Sequence, residues 1–367
     1  MNATKQLHEL GQSLWLDNIT RDLLNTHTLD QYIADYSVTG LTSNPTIFNH
    51  AIKGSPAYDA AIEEEVQRGK SGEKLFFQLA CEDLARAADV FRPLYDSTSG
   101  VDGWVSLEVP PSLAYDAAGT LSMAKKLYCR AERRNLFIKI PGTPEGLPAI
   151  EDAIFAGVPV NVTLLFSRDQ YLAAAEAYIR GVERRIQAGL NPNVASVASV
   201  FISRWDAAVA DKVAAGLRNK LGIAVAGQTY QAYRKLLNSA RWQRAFNAGA
   251  RPQRLLWAST GVKDPDASDI LYVKALAAPF TINTMPEATL KAFAKHGDIG
   301  SVMSPDAGDC EEVMADFIAA GIDTQSLAAQ LQGEGAKSFI KSWNELMDVI
   351  ESKSSSFKPA GDVLAAA

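Results

Sequence analysis

Lys139 interrupts an apolar run, Leu136-Phe137-Ile138-Lys139-Ile140, that stops at Pro141-Gly142. The run has the composition of a short buried strand, and Pro-Gly ends it. On a strand Phe137 and Lys139 share one face, and Leu136, Ile138 and Ile140 share the other. Burial disfavours an ammonium and so makes a neutral amine available, which is a nucleophile toward ketones and aldehydes. A lysine at a strand end can instead snorkel to water, and this segment alone leaves both readings open. The other strands have to decide.

Five further segments carry polar residues in the same phase. Asp17 alternates with Leu14 and Leu16, and Asn44 closes Val38 to Asn44 just before Pro45. Glu108 alternates with Val105, Leu107 and Val109; Asn161 and Thr163 alternate with Val160, Val162 and Leu164. Ser199 stands in step with Phe201, which is grouped with the substrate-facing residues and also serves as interior packing. An amine, two carboxyl groups and several amides and hydroxyls suit Schiff-base chemistry. The amine condenses with a carbonyl, the iminium accepts electrons from the neighbouring carbon–carbon bond, and Asp17 and Glu108 move the protons. Asn44, Asn161 and Ser199 can hydrogen-bond a polyol, and Thr163 can hold a water against Glu108. Arg204, Ser259 and Lys263 follow the sixth and seventh strands, where a phosphate could be held.

These residues need a scaffold that brings strand ends together. Strands are predicted at 13–19, 38–44, 104–109, 136–140, 159–166, 196–203, 255–260 and 280–284, separated by helical sequence. Thr28 with Gln31, and Ser167 with Gln170, have the spacing of capping boxes at helix starts. Long helical stretches cover about 55–95, with a break near Gly69 to Gly72, and about 114–133. Strands alternating with helices, without hairpin signals, argue for parallel crossovers. No G-x-G-x-x-G turn follows the first strand, as an open doubly wound sheet would favour, and eight strands suit closure. The expected fold is a single-domain α/β (β/α)8 TIM barrel with additional helices over 1–352. Residues 353–367, rich in Ser, Lys and Ala, are expected to form a disordered tail.

Composition narrows the function further. Apolar residues make up 47% and charged residues 21% of 367, with a net charge of −6 and no basic block. Nucleic-acid binding through a basic stripe is therefore not expected. Cys81, Cys129 and Cys310 are odd in number and far apart, which argues against a disulfide framework and for a reducing cytoplasm. Cys81 and Cys129 read as helix packing residues. The first ten residues lack an apolar core like that of a signal peptide, and no later run is long enough to span a bilayer. His8, His27, His50 and His296 form no ligand pair with a cysteine, which disfavours a metal-dependent aldolase.

Six short motifs in order, Trp-Leu-Asp-Asn at 15–18, Gly-Leu-Thr-Ser-Asn-Pro at 40–45, Ser-Leu-Glu-Val at 106–109, Ile-Lys-Ile-Pro at 138–141, Asn-Val-Thr-Leu-Leu-Phe-Ser at 161–167 and Trp-Ala-Ser-Thr at 257–260, give the chain its resemblance to transaldolase. The resemblance covers nearly the whole chain. It implies Lys139 as the Schiff-base lysine, Asp17 and Glu108 as acid/base groups, and Asn44, Asn161, Thr163 and Ser199 as donor and water ligands. It also implies cofactor-free transfer of a dihydroxyacetone unit from sedoheptulose 7-phosphate to glyceraldehyde 3-phosphate, giving erythrose 4-phosphate and fructose 6-phosphate. The expected partners are thus sugar phosphates, with the chain a monomer or homodimer. Some family members carry Arg shortly after the seventh-strand serine, whereas Thr260-Gly261-Val262 precedes Lys263 here. Two rivals stand beside this reading. One is a fructose-6-phosphate-type Schiff-base aldolase, a branch with a tyrosine near the position of Phe201; the other is a catalytically silent sugar-phosphate-binding barrel.

Overall fold

The computed structural model describes residues 2–357. Eight parallel strands close into one barrel in sequence order: β1 Gln12–Leu16, β2 Val38–Thr42, β3 Trp104–Glu108, β4 Leu136–Pro141, β5 Val160–Leu165, β6 Ser196–Phe201, β7 Gln253–Ala258 and β8 Thr281–Met285. β8 pairs back onto β1, with Leu14 opposite Asn283. Helices fill every crossover, and a helix at Ala3–Glu9 precedes the first strand. The expected single (β/α)8 barrel is the observed architecture.

Closure gives the two faces of each strand different solvents. Leu14, Leu16, Val105, Leu107, Ile138, Ile140, Val160 and Val162 pack outward into one apolar core beneath the helices. Trp15, Trp104, Phe137, Val197, Leu256 and Ile282 belong to a second core on the inner face. Alternation along the strands sorts the residues between them, because successive side chains point to opposite faces. Near the strands' N-terminal ends the interior is aromatic. Phe137 stacks on Trp104 at 4.0 Å between ring centroids and lies 6.1 Å from Trp15. Gly40 makes room for this floor, since a Cβ there would sit 2.7 Å from the Trp15 ring and from the Trp104 carbonyl oxygen.

Local differences from the sequence expectation have local causes. No capping box forms at Thr28; His27, in the left-handed region, precedes the helix Thr28–Tyr36 without a side-chain cap. Thr28 instead shares a hydrogen bond with the Thr26 hydroxyl. At the helix Arg168–Gln187, Ser167 Oγ accepts from the Gln170 amide at 3.1 Å, and Gln170 Oε1 accepts from the Phe166 amide at 2.7 Å. Cys129 is exposed rather than a packing residue, while Cys81 and Cys310 are buried. The last helix runs from Thr324 to Ser356, so Lys353 to Ser356, expected in a tail, are helical. Positions 358–367 of that expected tail lie outside the described residues. Among the described residues no helix is long and apolar enough to cross a membrane.

Gly40→Ala tests the floor. The added methyl has backbone on one side and a packed indole on the other, and overpacking of this kind costs about 1–3 kcal/mol. A lowered urea midpoint with an unchanged denaturant slope is the expected result.

Candidate active site

Above the aromatic floor the barrel interior becomes polar. Glu108, Lys139 and Asn161 lie side by side on β3, β4 and β5, in register as Glu108 opposite Lys139 and Lys139 opposite Asn161. Lys139 is 6% exposed, so its ammonium cannot snorkel to water. Its Nζ donates to the Ser43 carbonyl at 3.1 Å and stands 3.5 Å from Glu108 Oε2. Burial pushes the Glu108 carboxyl above its ordinary range, opposed by the charge of Lys139. Among the described residues neither Glu108 oxygen has a hydrogen-bond partner, and neither has the buried hydroxyl of Thr163. Unpaired polar atoms in a buried place are costly unless something else bonds them.

The remaining polar residues divide into structural ties and free groups. Ser199 Oγ donates to Asn161 Oδ1 at 2.7 Å, and Asn161 Nδ2 donates to Ser106 Oγ at 3.2 Å. This chain links β3, β5 and β6 directly under the lysine. Asn44 caps the helix Pro45–Gly54, its Oδ1 accepting from the Ile47 amide at 3.0 Å, which leaves the Nδ2 donors free. Asp17 follows the end of β1, and its amide donates to the Met285 carbonyl at 3.0 Å. Desolvation raises its carboxyl to about 6, against the charges of Lys139 and Lys263. Ser259 shares a 2.9 Å hydrogen bond with Ser203 and holds a left-handed φ of 56°.

Arg204 sits in the first turn of the helix Ser203–Val209, just beyond β6. Its guanidinium lies 5.1 Å from the Phe201 ring, and it makes no ion pair among the described residues. Burial pulls it below its ordinary value, with Glu334 acting in the other direction, but a guanidinium remains charged. A cation held this way can bind a phosphate. Lys263 is exposed on the loop after β7, near enough to act on Asp17. The residues read from the sequence are thus drawn to one end of the barrel, with Asn161 and Ser199 bonded to each other rather than left open.

Three contributors were not anticipated. Ser43 offers its carbonyl to Lys139, and Ser106 anchors Asn161. Ser106 has the phase of Glu108, a signal that could have been read. Gln332, on the last helix, donates to the carbonyls of Gly142 and Leu164 at 3.0 and 2.9 Å. Leu164 stands at a φ of 61°, within an irregularity in the pairing of β5 with β6, immediately after Thr163. Gly335 brings the same helix close, because a Cβ there would lie 2.9 Å from Leu164 and 3.2 Å from Arg204. Gly335 inside a helical stretch was the available hint, since glycine there needs a packing reason.

Two substitutions follow from this geometry. A carboxyl whose native pKa is raised adds no penalty below the unfolded value of 3.8 and loses stability as pH rises through about 6. Asp17→Asn is therefore expected to be more stable than the parent at pH 8, by about 2–3 kcal/mol, and no more stable at pH 3.5. Chemical denaturation at the two pH values measures this. Gln332→Ala strips two buried carbonyls of their donor and is expected to cost about 2 kcal/mol in the same assay.

Comparison with known proteins gives the chain its family. A family profile described as Transaldolase/Fructose-6-phosphate aldolase matches residues 14–350. A transaldolase of Thermobifida fusca is 45% identical over 353 residues, covering 94% of this chain and 96% of that protein. One from Parafrankia sp. is 43% identical with the same coverage, and transaldolase 2 of Nostoc punctiforme is 39% identical over 372 residues, covering 96% of this chain and 97% of that protein. With the profile matching nearly the whole chain, the chain belongs to the transaldolase/fructose-6-phosphate aldolase family.

Proposed function

We infer that the chain is a transferase that moves a dihydroxyacetone unit between sugar phosphates through a Schiff base on Lys139. The observation that carries this reading is the buried Lys139 amine beside a carboxyl group whose two oxygens are otherwise unpartnered. Lys139 delivers its proton to Glu108, and the neutral amine attacks the ketose C2 carbonyl. Glu108, through a water held at Thr163 Oγ1, protonates the carbinolamine hydroxyl, which leaves as water and yields the iminium. Asp17 takes the proton of the C4 hydroxyl. The C3–C4 bond breaks, its electron pair runs into the iminium to form an enamine, and an aldose phosphate departs. The acceptor aldehyde enters, the enamine attacks it, Asp17 returns its proton, and hydrolysis of the new iminium frees Lys139.

Arg204 and Lys263 supply the charges for the substrate phosphate, with Ser259 beside them, and Asn44 Nδ2 faces the donor hydroxyls. Asn161 and Ser199 act on the sugar from the layer that also steadies the lysine strand. Sedoheptulose 7-phosphate as donor and glyceraldehyde 3-phosphate as acceptor fit this arrangement. Transfer is favoured over release of free dihydroxyacetone by Phe201, whose ring offers no proton to quench the enamine. The three cysteines are free thiols, which supports action in the reducing cytoplasm, as a monomer or homodimer.

Borohydride added with fructose 6-phosphate is expected to trap a three-carbon adduct on the peptide containing Lys139. An unchanged peptide mass would leave only a binding barrel. Free dihydroxyacetone released rapidly without an acceptor would instead favour the aldolase reading. Because Asp17 must be ionised to accept the C4 proton, kcat/KM is expected to fall as pH drops through about 6. A profile flat from pH 8 to pH 5 would remove Asp17 from that role.

A further inference from the structure

The opposite end of the barrel holds a cavity of about 920 Å³ beneath the aromatic floor. Trp15, Trp104, Phe137, Val197 and Ile282 form its ceiling, and Trp242 lines its side. The interiors of such barrels are packed cores, so a space of ligand size below the floor is unusual. Phe280 and Phe246 line it while 63% and 52% exposed, which leaves apolar surface open to water at its mouth.

Its charge is one-sided. Arg234, Arg251 and Arg254 line it against a single acid, Asp102. Arg254 is already satisfied, donating to Asp102, Ser13 and the carbonyls of Val101 and Thr281. Among the described residues the Arg234 side chain donates only to the Tyr230 hydroxyl, and it lies 5.8 Å from the Tyr230 and Phe280 rings. The Arg251 side chain has neither an acidic partner nor a hydrogen bond within the described residues, and it also lines an adjoining crevice of about 190 Å³ that contains Arg134. In a chain of net charge −6 this is a local excess of cations.

We propose that this end of the barrel is a second binding site, for a small organic anion with a flat aromatic body and one acidic group. The body fills the space under the floor against Trp242 and Phe280. The acidic group meets Arg234 and Arg251, which have no carboxylate of their own. One ligand of this chemistry covers the exposed rings and pairs with both arginines at once.

The test uses the full chain saturated with fructose 6-phosphate, so that the sugar-phosphate end is occupied. The probes are 1-anilinonaphthalene-8-sulfonate and its uncharged analogue N-phenyl-1-naphthylamine, followed by fluorescence titration. The sulfonate is expected to bind once per chain, roughly tenfold more tightly than the neutral dye. Arg234→Gln with Arg251→Gln should remove that advantage while leaving the neutral dye and sugar-phosphate turnover unchanged, and Phe280→Ser should weaken both dyes. Equal affinity for the two dyes, or a sulfonate affinity indifferent to the arginines, marks an adventitious apolar patch and overturns the proposal. So does a dimer in sedimentation that Phe280→Asp dissociates, because the surface is then an interface between two copies.

Discussion

An ammonium and a carboxyl group 3.5 Å apart inside a barrel are the constraint around which this molecule is arranged. Taking both out of water costs several kcal/mol each before their attraction offsets any of it, and only good geometry with further hydrogen bonds makes the pair tolerable. Among the described residues Lys139 has one such bond, to the Ser43 carbonyl, and Glu108 has none. The pair is therefore held by the barrel more than it holds the barrel. What permits this is the amount of apolar surface elsewhere: two separate cores, one under the helices and one inside the strands, carry the stability that the polar layer does not.

The backbone at the same end departs from ideal geometry. Leu164 and Ser259 both occupy the left-handed region, which costs a residue with a Cβ about 1–2 kcal/mol. Each lies at the C-terminal end of a barrel strand and each is tied down. Gln332 bonds the Leu164 carbonyl, and Ser203 bonds Ser259 through both its amide and its hydroxyl. The helix Thr324–Ser356 is thus part of the site's scaffold, because Gln332 and Gly335 fit it against Leu164 and Arg204. Strain at a functional end, held by structure around it, is a recurrent arrangement.

Charge is also distributed by depth. The deepest pair is nearly neutral in sum, Asp17 stands nearer the mouth with a raised carboxyl, and Arg204 and Lys263 provide outlying cations. In the reaction we propose, an anionic sugar phosphate meets positive charge first and the Lys139 amine last. Few hydroxyl-binding groups are free, since Asn161 and Ser199 share a hydrogen bond and Asn44 spends its oxygen on a helix cap.

Strand phase alone revealed the lysine, both acids and Thr163, because a two-residue repeat assigns each side chain to a face whatever the rest of the fold does. Eight such segments between helical stretches were enough for a closed barrel. Hydrogen-bond partners were beyond that reasoning: it could place Asn161 and Ser199 inside, but not reveal that they bond each other, because their separation of 38 positions is closed only by strand register. The same limit hid Gln332, which lies 168 positions from Leu164, and left Thr28 looking like a cap that tertiary geometry does not use. Periodicity is a local property and determines which way a residue points. Whether a polar atom is free to react or already bonded depends on what closure of the barrel brings against it, and that was decided only by the tertiary structure.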